Sequence, residues 1–375
     1  MIESGQKKLK LVYVTALLLV SAFIGGLLVR GGFGLGWMFG GMIGSALLSY
    51  FVLPKLKLGK IGWISHMRKM GQAILGVGIG SMLHFAELVK LNWILVDILI
   101  MVAISLILSF IVGIFYAFAA PGQSMRTAIF STLPGGVGIM ASVAKEHGAN
   151  GELVAILQSL RVVLVVVLAP LFLHGTFFFK TNGRTLTDTN GMTAVMISPV
   201  LLTLALAVGG YFMAKKCKIS SYALIGPLLL SILCTNLLPF ASDFSIPYFM
   251  SAIGQLCLGL TIGHGMGSRL HEIKWTDLTF GIISVIFTVF SSTAAIIFFH
   301  YATDLDWKTA ILSAAPGGAV EMIVLAQSLH AHLEVIVTAQ VIRQVLVNAL
   351  IPLWILIAYK SESMFEDRKK PLKAN

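Results

Sequence analysis

Charge is what this sequence has least of: charged residues make up 11% of its 375 residues, against 57% hydrophobic. So little polar surface excludes a soluble globule of this size, and no hydrophilic stretch is long enough for a second domain. Cysteine is scarce too. Its 3 positions, Cys217, Cys234 and Cys257, form no CxxC pair, which excludes a disulfide framework or a thiolate metal site. His330 and His332 are two apart, poor spacing for chelation on one helix face, and no His, Asp or Glu grouping fits copper or iron. With no nucleophile–base pair visible either, neither an enzyme nor a cofactor is expected. Acidic residues number 16 against 27 Lys and Arg, a net charge of +11. The basic residues fall in short clusters between apolar runs rather than on one face interleaved with aromatics, so nucleic acid is not expected as a partner.

What remains is apolar. Stretches of roughly 17 to 29 residues recur along the chain, near or above the ~20 that a spanning helix needs, so the partner that surrounds it is the lipid bilayer. Lys7, Lys8 and Lys10 before the run Leu11 to Val29 resemble a signal peptide. That segment recurs internally, however, and lacks the small-residue cleavage pattern, so it reads as the first membrane helix.

The chain is a duplication. GQAILGVGIG from Gly71 realigns with GQLCLGLTIG from Gly254, and RTAIFSTLPGG from Arg126 with KTAILSAAPGG from Lys308. LVAILQSLRVVLVVVLAPL pairs with VIVTAQVIRQVLVNALIPL, which places Gln158 on Gln340, Arg161 on Arg343 and Pro170 on Pro352. Earlier in the halves the match is weaker: Gly25-Gly26 faces Gly209-Gly210, and Gly40 faces Gly226. The halves divide as 1–185 and 186–375, two membrane repeats within one integrated domain. A unit this long is no solenoid repeat; it matches the structural repeats of transporters.

Basic residues mark cytoplasmic loops. In the first half they precede segment one and follow segment two (Lys55, Lys57, Lys60, Arg68, Lys69); in the second they follow segment one (Lys215, Lys216, Lys218) and segment three (Arg269, Lys274), while the loop after segment two carries Asp243. The phase is inverted, which needs an odd number of crossings per half. The expected fold is therefore all-α: a polytopic inverted repeat of about five transmembrane helices plus one Pro-Gly-Gly broken or re-entrant helix per half, about ten crossings in all. Both termini then lie in the cytoplasm of a bacterial inner membrane.

The breaks are STLPGGVGIM and SAAPGGAVEM. Each divides its apolar run into pieces too short to cross alone, and non-helical backbone survives at membrane depth only when buried in protein or lining a polar cavity. The helix that starts after each break offers free N–H groups and a positive dipole end, a natural anion site; a tight turn between packed helices is the plainer alternative. Pro134, Gly135, Gly136, Pro316, Gly317 and Gly318 are accordingly candidate substrate-binding residues, together with Gln158, Arg161, Gln340, Arg343 and Gln344. Gln158 and Arg161, like Gln340 and Arg343, are three apart and share a helix face, which Gln344 and Asn348 extend in the second copy. Arginine inside a membrane is costly and suits a carboxylate or phosphate through its planar fork; a structural partner, Glu321 or a helix-end carbonyl, would serve equally. The more polar helix favours Arg343 as the ligand-reading member of the pair. Glu321 has Ile139 as its counterpart, so the duplication does not require it. It could carry the coupling ion, H⁺ or Na⁺, or cap a helix N-terminus. Glu152 and Glu334 match each other and each begins a helix, which makes them caps.

The twin segments LPGGVGIMASVAKEHGAN…LQSLRV and APGGAVEMIVLAQ…AQVIRQ resemble the duplicated AbrB membrane family, described as regulators of aidB expression and also labelled ammonia monooxygenases. The resemblance covers essentially the whole chain and implies an integral inner-membrane protein with an effect on gene expression. One departure is that Gly40-Gly41 stands where the second copy has Gly226-Pro227. Two functions are expected from this: a secondary transporter for a small organic anion, or a membrane sensor that binds such a ligand without flux. A homodimer is left open.

Overall fold

The computed structural model describes residues 2–56, 62–120, 122–174, 197–219, 221–238, 241 and 244–369. Among these, every regular element is helical. The first half runs α1 (Ile2–Arg30), α2 (Gly36–Phe51), α3 (Leu53–Leu56), α4 (Gly62–Gly80), α5 (Phe85–Lys90), α6 (Leu95–Ala119), α7 (Met125–Thr132), α8 (Val137–Glu146) and α9 (Gly151–His174). The second runs α10 (Ile197–Lys216), α11 (Tyr222–Leu237), α12 (Tyr248–Gly267), α13 (Trp275–Thr303), α14 (Trp307–Ala314), α15 (Ala319–Leu329), α16 (Leu333–Ala349) and α17 (Ile351–Lys369). Apart from the short α3 and α5, the order repeats: α2 and α11 are both 16 residues long, and α7 and α14 both 8.

By length and composition, five helices among the described residues are apolar enough to cross a membrane, and six if α16 and α17, bent by 56° at their junction, count as one span. The bend falls at Leu350, just before Pro352, where a proline N–H is not needed; α9 carries the matching Pro170 inside one continuous helix. The helices α2, α4, α11 and α12 are 16 to 20 residues long, each has a buried face, and all but α11 are rich in glycine.

The chain forms two compact units, and each draws on both halves. The first contains Met1–Trp93, Pro170–Ser268 and Ile323–Glu334. Here α2 packs on α1 and on α12, while α11 packs on α10 and on α4, so exchanging the halves maps each pairing onto another that is also present. Lipid tails are as apolar as leucine and give no hydrophobic drive between helices, so close backbone approach must supply the contact energy. Small residues permit it. A Cβ at Gly40 would collide with the Gly25 backbone, and its counterpart at Gly226 with Gly210. Between α2 and α12, Gly259, Gly263 and Gly267 recur at every fourth position, against the backbone of Met38, Met42 and Ala46. Gly71 and its repeat partner Gly254 meet where α4 crosses α12: a Cβ at Gly71 would lie 2.8 Å from the Gly254 carbonyl oxygen. One polar cluster joins α1, α2 and α12, with Ser49 Oγ 2.7 Å from His264 Nδ1 and 3.0 Å from the Tyr13 hydroxyl.

The second unit contains Ile94–Ala169, Arg269–Met322 and Val335–Asn375. At its centre α6 packs on its counterpart α13. Small residues are buried on both helices, Ser105, Ser109 and Gly113 on α6 and Gly281, Ser284, Thr288 and Ser292 on α13, with Gly113 against α7 and Gly281 against Leu157 of α9. The α13 hydroxyls return their hydrogens to their own helix, Ser284 to Gly281 O at 2.7 Å and Thr288 to Ser284 O at 2.8 Å, so none is lost to lipid. Both α7 and α14 lie against the α6–α13 pair. Far from the core, Phe115 is 69% and Phe290 75% exposed, an outer surface that suits acyl chains and not water.

Because backbone-to-backbone approach holds the first unit together, Gly263→Val should lower stability by about 3 kcal/mol. Gly62→Ala, where an added Cβ meets nothing within 4 Å, should leave it unchanged. Thermal unfolding of the detergent-purified variants measures both, and equal melting temperatures would contradict the packing argument.

Candidate functional site

Each Pro-Gly-Gly ends one short helix and starts another. α7 has 8 residues and α8 has 10; α14 has 8 and α15 has 11. At 1.5 Å per residue each piece spans about 12 to 17 Å, half the hydrocarbon thickness. The turn geometry explains the residues. Leu133 and Ala315 take extended conformations that end their helices, as a residue before proline prefers. Gly136 sits at φ +87°, a conformation that L side chains rarely adopt. The next helix then starts: Met140 N–H donates to Gly136 O and Met322 N–H to Gly318 O, each at 3.0 Å. On each middle glycine lies a methionine. Met140 covers Gly135, and Met322 covers Gly317, whose added Cβ would be 3.0 Å from Met322 Cε. Sequence reasoning passed over these two methionines, although both stand at the same place in their repeats, PGGVGIM and PGGAVEM.

The paired Gln-x-x-Arg residues serve the helix ends before the breaks. Gln158 Nε2 donates to Phe130 O (2.8 Å) and Leu133 O (2.6 Å), and Arg161 Nη1 to Thr132 O (3.2 Å). In the second copy Gln340 Nε2 donates to Leu312 O (2.6 Å), Arg343 Nη1 to Ala315 O, and Arg343 Nη2 to Gly317 O (2.9 Å) and to Gln340 Oε1. These carbonyls have no partner within their own helix and lie at the negative end of its dipole, where an amide or guanidinium donor is favourable. The structure thus adopts, for both arginines, the helix-end carbonyl pairing that the sequence left as one of two roles.

The two copies differ in how completely this is done. Arg343 makes three such bonds and is attracted by Glu321. Arg161 makes one, and its Nε and Gln158 Oε1 are buried without a hydrogen-bond partner. Among the described residues Arg161, Arg343 and Glu321 are the only buried charged side chains, two positive and one negative, all in the second unit.

Glu321 is the third residue of α15, and its carboxylate curls back over the helix start: a Cβ at Gly318 would lie 3.1 Å from Oε1 and closer still to Oε2. This is the position from which an acidic side chain serves its own helix N-terminus. The first turn of α15 is buried throughout. In α8 the third residue is Ile139, no acidic residue stands in the first turn, and Gly138 is exposed. Gln344, half-buried on α16, approaches this open end, with Nε2 3.5 Å from where a Gly136 Cβ would be. Gln344 therefore reaches the first-copy break at Gly136, where Arg161 serves the carbonyl of Thr132, while Arg343 serves the second-copy break, all within the second unit. Glu152 and Glu334 stand in the first turns of α9 and α16, away from the breaks.

Apolar helices with outward-facing aromatics, and two matched broken helices whose free ends are served from within, define a polytopic helical membrane protein. The chain belongs to the AbrB family: the family model described as "Transition state regulatory protein AbrB" matches residues 37–358. It is similar to "Uncharacterized protein YhjN" of Bacillus subtilis (strain 168), 27% identical over 374 residues that cover 94% of this chain and 95% of that protein. It is also similar to "Putative regulator AbrB" of Escherichia coli (strain K12), 27% identical over 283 residues, 72% of this chain and 77% of that protein.

Arg343→Ala should cost about 3 to 5 kcal/mol, because it strands buried carbonyls and the Glu321 carboxylate together. The same substitution in a Glu321→Gln background should cost clearly less. A double-mutant cycle on unfolding free energies measures the difference, and additive effects would mean that the two side chains do not interact.

Proposed function

We propose that the chain is a secondary-transporter-like protein of the bacterial inner membrane, binding a small organic anion at the paired helix breaks and coupled to H⁺ or Na⁺ through Glu321. The observation that carries this reading is the buried charge: two guanidiniums and one carboxylate at helix breaks leave an excess positive charge in a low-dielectric interior, which an anion would neutralise. Broken helices at matching places in two repeats support it, since such breaks bring backbone dipoles to the middle of a membrane domain. Binding and passage require no bond-making, in keeping with an assignment other than enzyme. Glu321 is the natural carrier of the coupling ion, as the buried carboxylate beside the breaks.

A second reading, a membrane sensor that affects gene expression without flux, is favoured by the name of the Escherichia coli relative, "Putative regulator AbrB". Both readings use the same anion site and differ in whether ligand crosses.

Uptake into proteoliposomes separates them, using a substrate found by screening carboxylates, amino acids and phosphonates. Wild-type protein should accumulate it, and Glu321→Gln should lose accumulation while keeping counterflow exchange. Saturable binding with no flux in wild type would favour the sensor. An unaltered Glu321→Gln would remove this carboxylate from coupling.

The inverted arrangement of the halves, with both termini cytoplasmic, is tested by cysteine labelling. A probe in the loop from Lys55 to Lys69 should label from the cytoplasm and one beside Asp243, which lies outside the described residues, from the periplasm. Labelling of both from one side would overturn the inversion.

A further inference from the structure

The two copies of the site are not equivalent, and they differ most at the Gln-x-x-Arg pair and at the start of the helix after the break. In the second copy the arginine is served by protein: Arg343 is bonded to Ala315 O, Gly317 O and Gln340 Oε1, and the Glu321 carboxylate lies over the start of α15. In the first copy Gln158 Oε1 and Arg161 Nε lack partners, though Gln158 is 0% and Arg161 2% exposed. The start of α8 has no acidic residue in its first turn, and Gly138 there reaches the surface. Glu321 can be read as the chain's own anion, filling in the second copy the place left open in the first.

From this we infer that the ligand is a monoanion with a carboxylate-like head, bound at the first-copy break by Arg161 and the α8 N-terminus, with Gln344 at its edge, while Arg343 holds the fold. The inference deepens the anion-site reading and rests on it. Charge balance sets the valence: Glu321 already offsets one of the two buried guanidiniums, so one negative charge completes neutrality and a second would be buried unpaired. The unpartnered groups set the chemistry of the head. Arg161 Nε and the α8 amides donate to carboxylate oxygens, whereas Gln158 Oε1 accepts and suits a ligand hydroxyl next to the carboxylate, as in a 2-hydroxy acid. The polar stripe on α16 had pointed to Arg343; the hydrogen bonds transfer the role to Arg161.

The test uses acetate and lactate as monoanionic probes and malonate and succinate as dianionic ones, with affinities taken at pH 7 from the concentration dependence of the melting temperature of the purified full-length protein. Lactate should bind best, acetate next, and the dianions at least tenfold more weakly than lactate. Arg161→Lys keeps the charge but loses the fork, so it should weaken lactate about 30-fold. Arg343→Lys should lower the melting temperature without any probe present and cost less affinity than Arg161→Lys. Glu321→Gln supplies an arm that leaves Arg161 untouched: with one more buried positive charge it should reverse the order and favour malonate over acetate. Tighter dianion binding in wild type, or an unchanged order in Glu321→Gln, would overturn the monoanion assignment. If Arg343→Lys loses the greater affinity, the arginine assignment falls while the anion site stands. If no probe binds wild type saturably, or both lysine variants bind as wild type does, the anion-site reading falls as well.

Discussion

A helix broken inside an apolar protein exposes backbone carbonyls and amides to surroundings that offer no water, and each unsatisfied group costs several kcal/mol. The satisfaction of those groups is the constraint on which the rest of the second unit depends. It explains why a glutamine and an arginine three residues apart stand on α9 and again on α16: each pair reaches across to the closing carbonyls of α7 or α14. Once the carbonyl ends are served in this way, the amide ends of α8 and α15 remain with their positive dipoles.

The two halves need each other for a different reason. Helices packed in lipid gain little from apolar burial between them, so contact depends on how closely backbones approach. Glycines at matching positions make the approach possible twice, at Gly25–Gly40 and Gly210–Gly226, and repeat partners meet at Gly71–Gly254. Each compact unit takes helices from both halves, so a half by itself would leave its small-residue faces uncovered. Against this shared frame the single exchange of Ile139 for Glu321 matters: it puts a negative charge at one helix start and leaves the other without one.

Much of this could be read in the sequence because duplication states it twice. The Pro-Gly-Gly breaks, the Gln-x-x-Arg pairs and the all-helical membrane class follow from residue types and spacing, and the family match agrees with the resemblance carried by the same segments. Other features had no such signal. Spacing places Arg161 and Arg343 on a helix face but does not say whether a guanidinium meets a ligand or a carbonyl, since both are oxygen acceptors. Met140 and Met322 were overlooked because methionine in an apolar run reads as ordinary packing.

The sequence by itself determined where helices must break, which residues could serve the breaks, and that the chain lives in lipid, because those facts depend on local backbone chemistry and hydropathy. Only the tertiary structure decided the inequality of the two copies. Whether Arg161 and Gln158 keep unpartnered atoms while Arg343 and Gln340 bond each other depends on side-chain rotamers, which packing around each helix sets at the scale of an ångström or so. Hydrogen bonds are lost over such distances, and no pattern along a sequence records them.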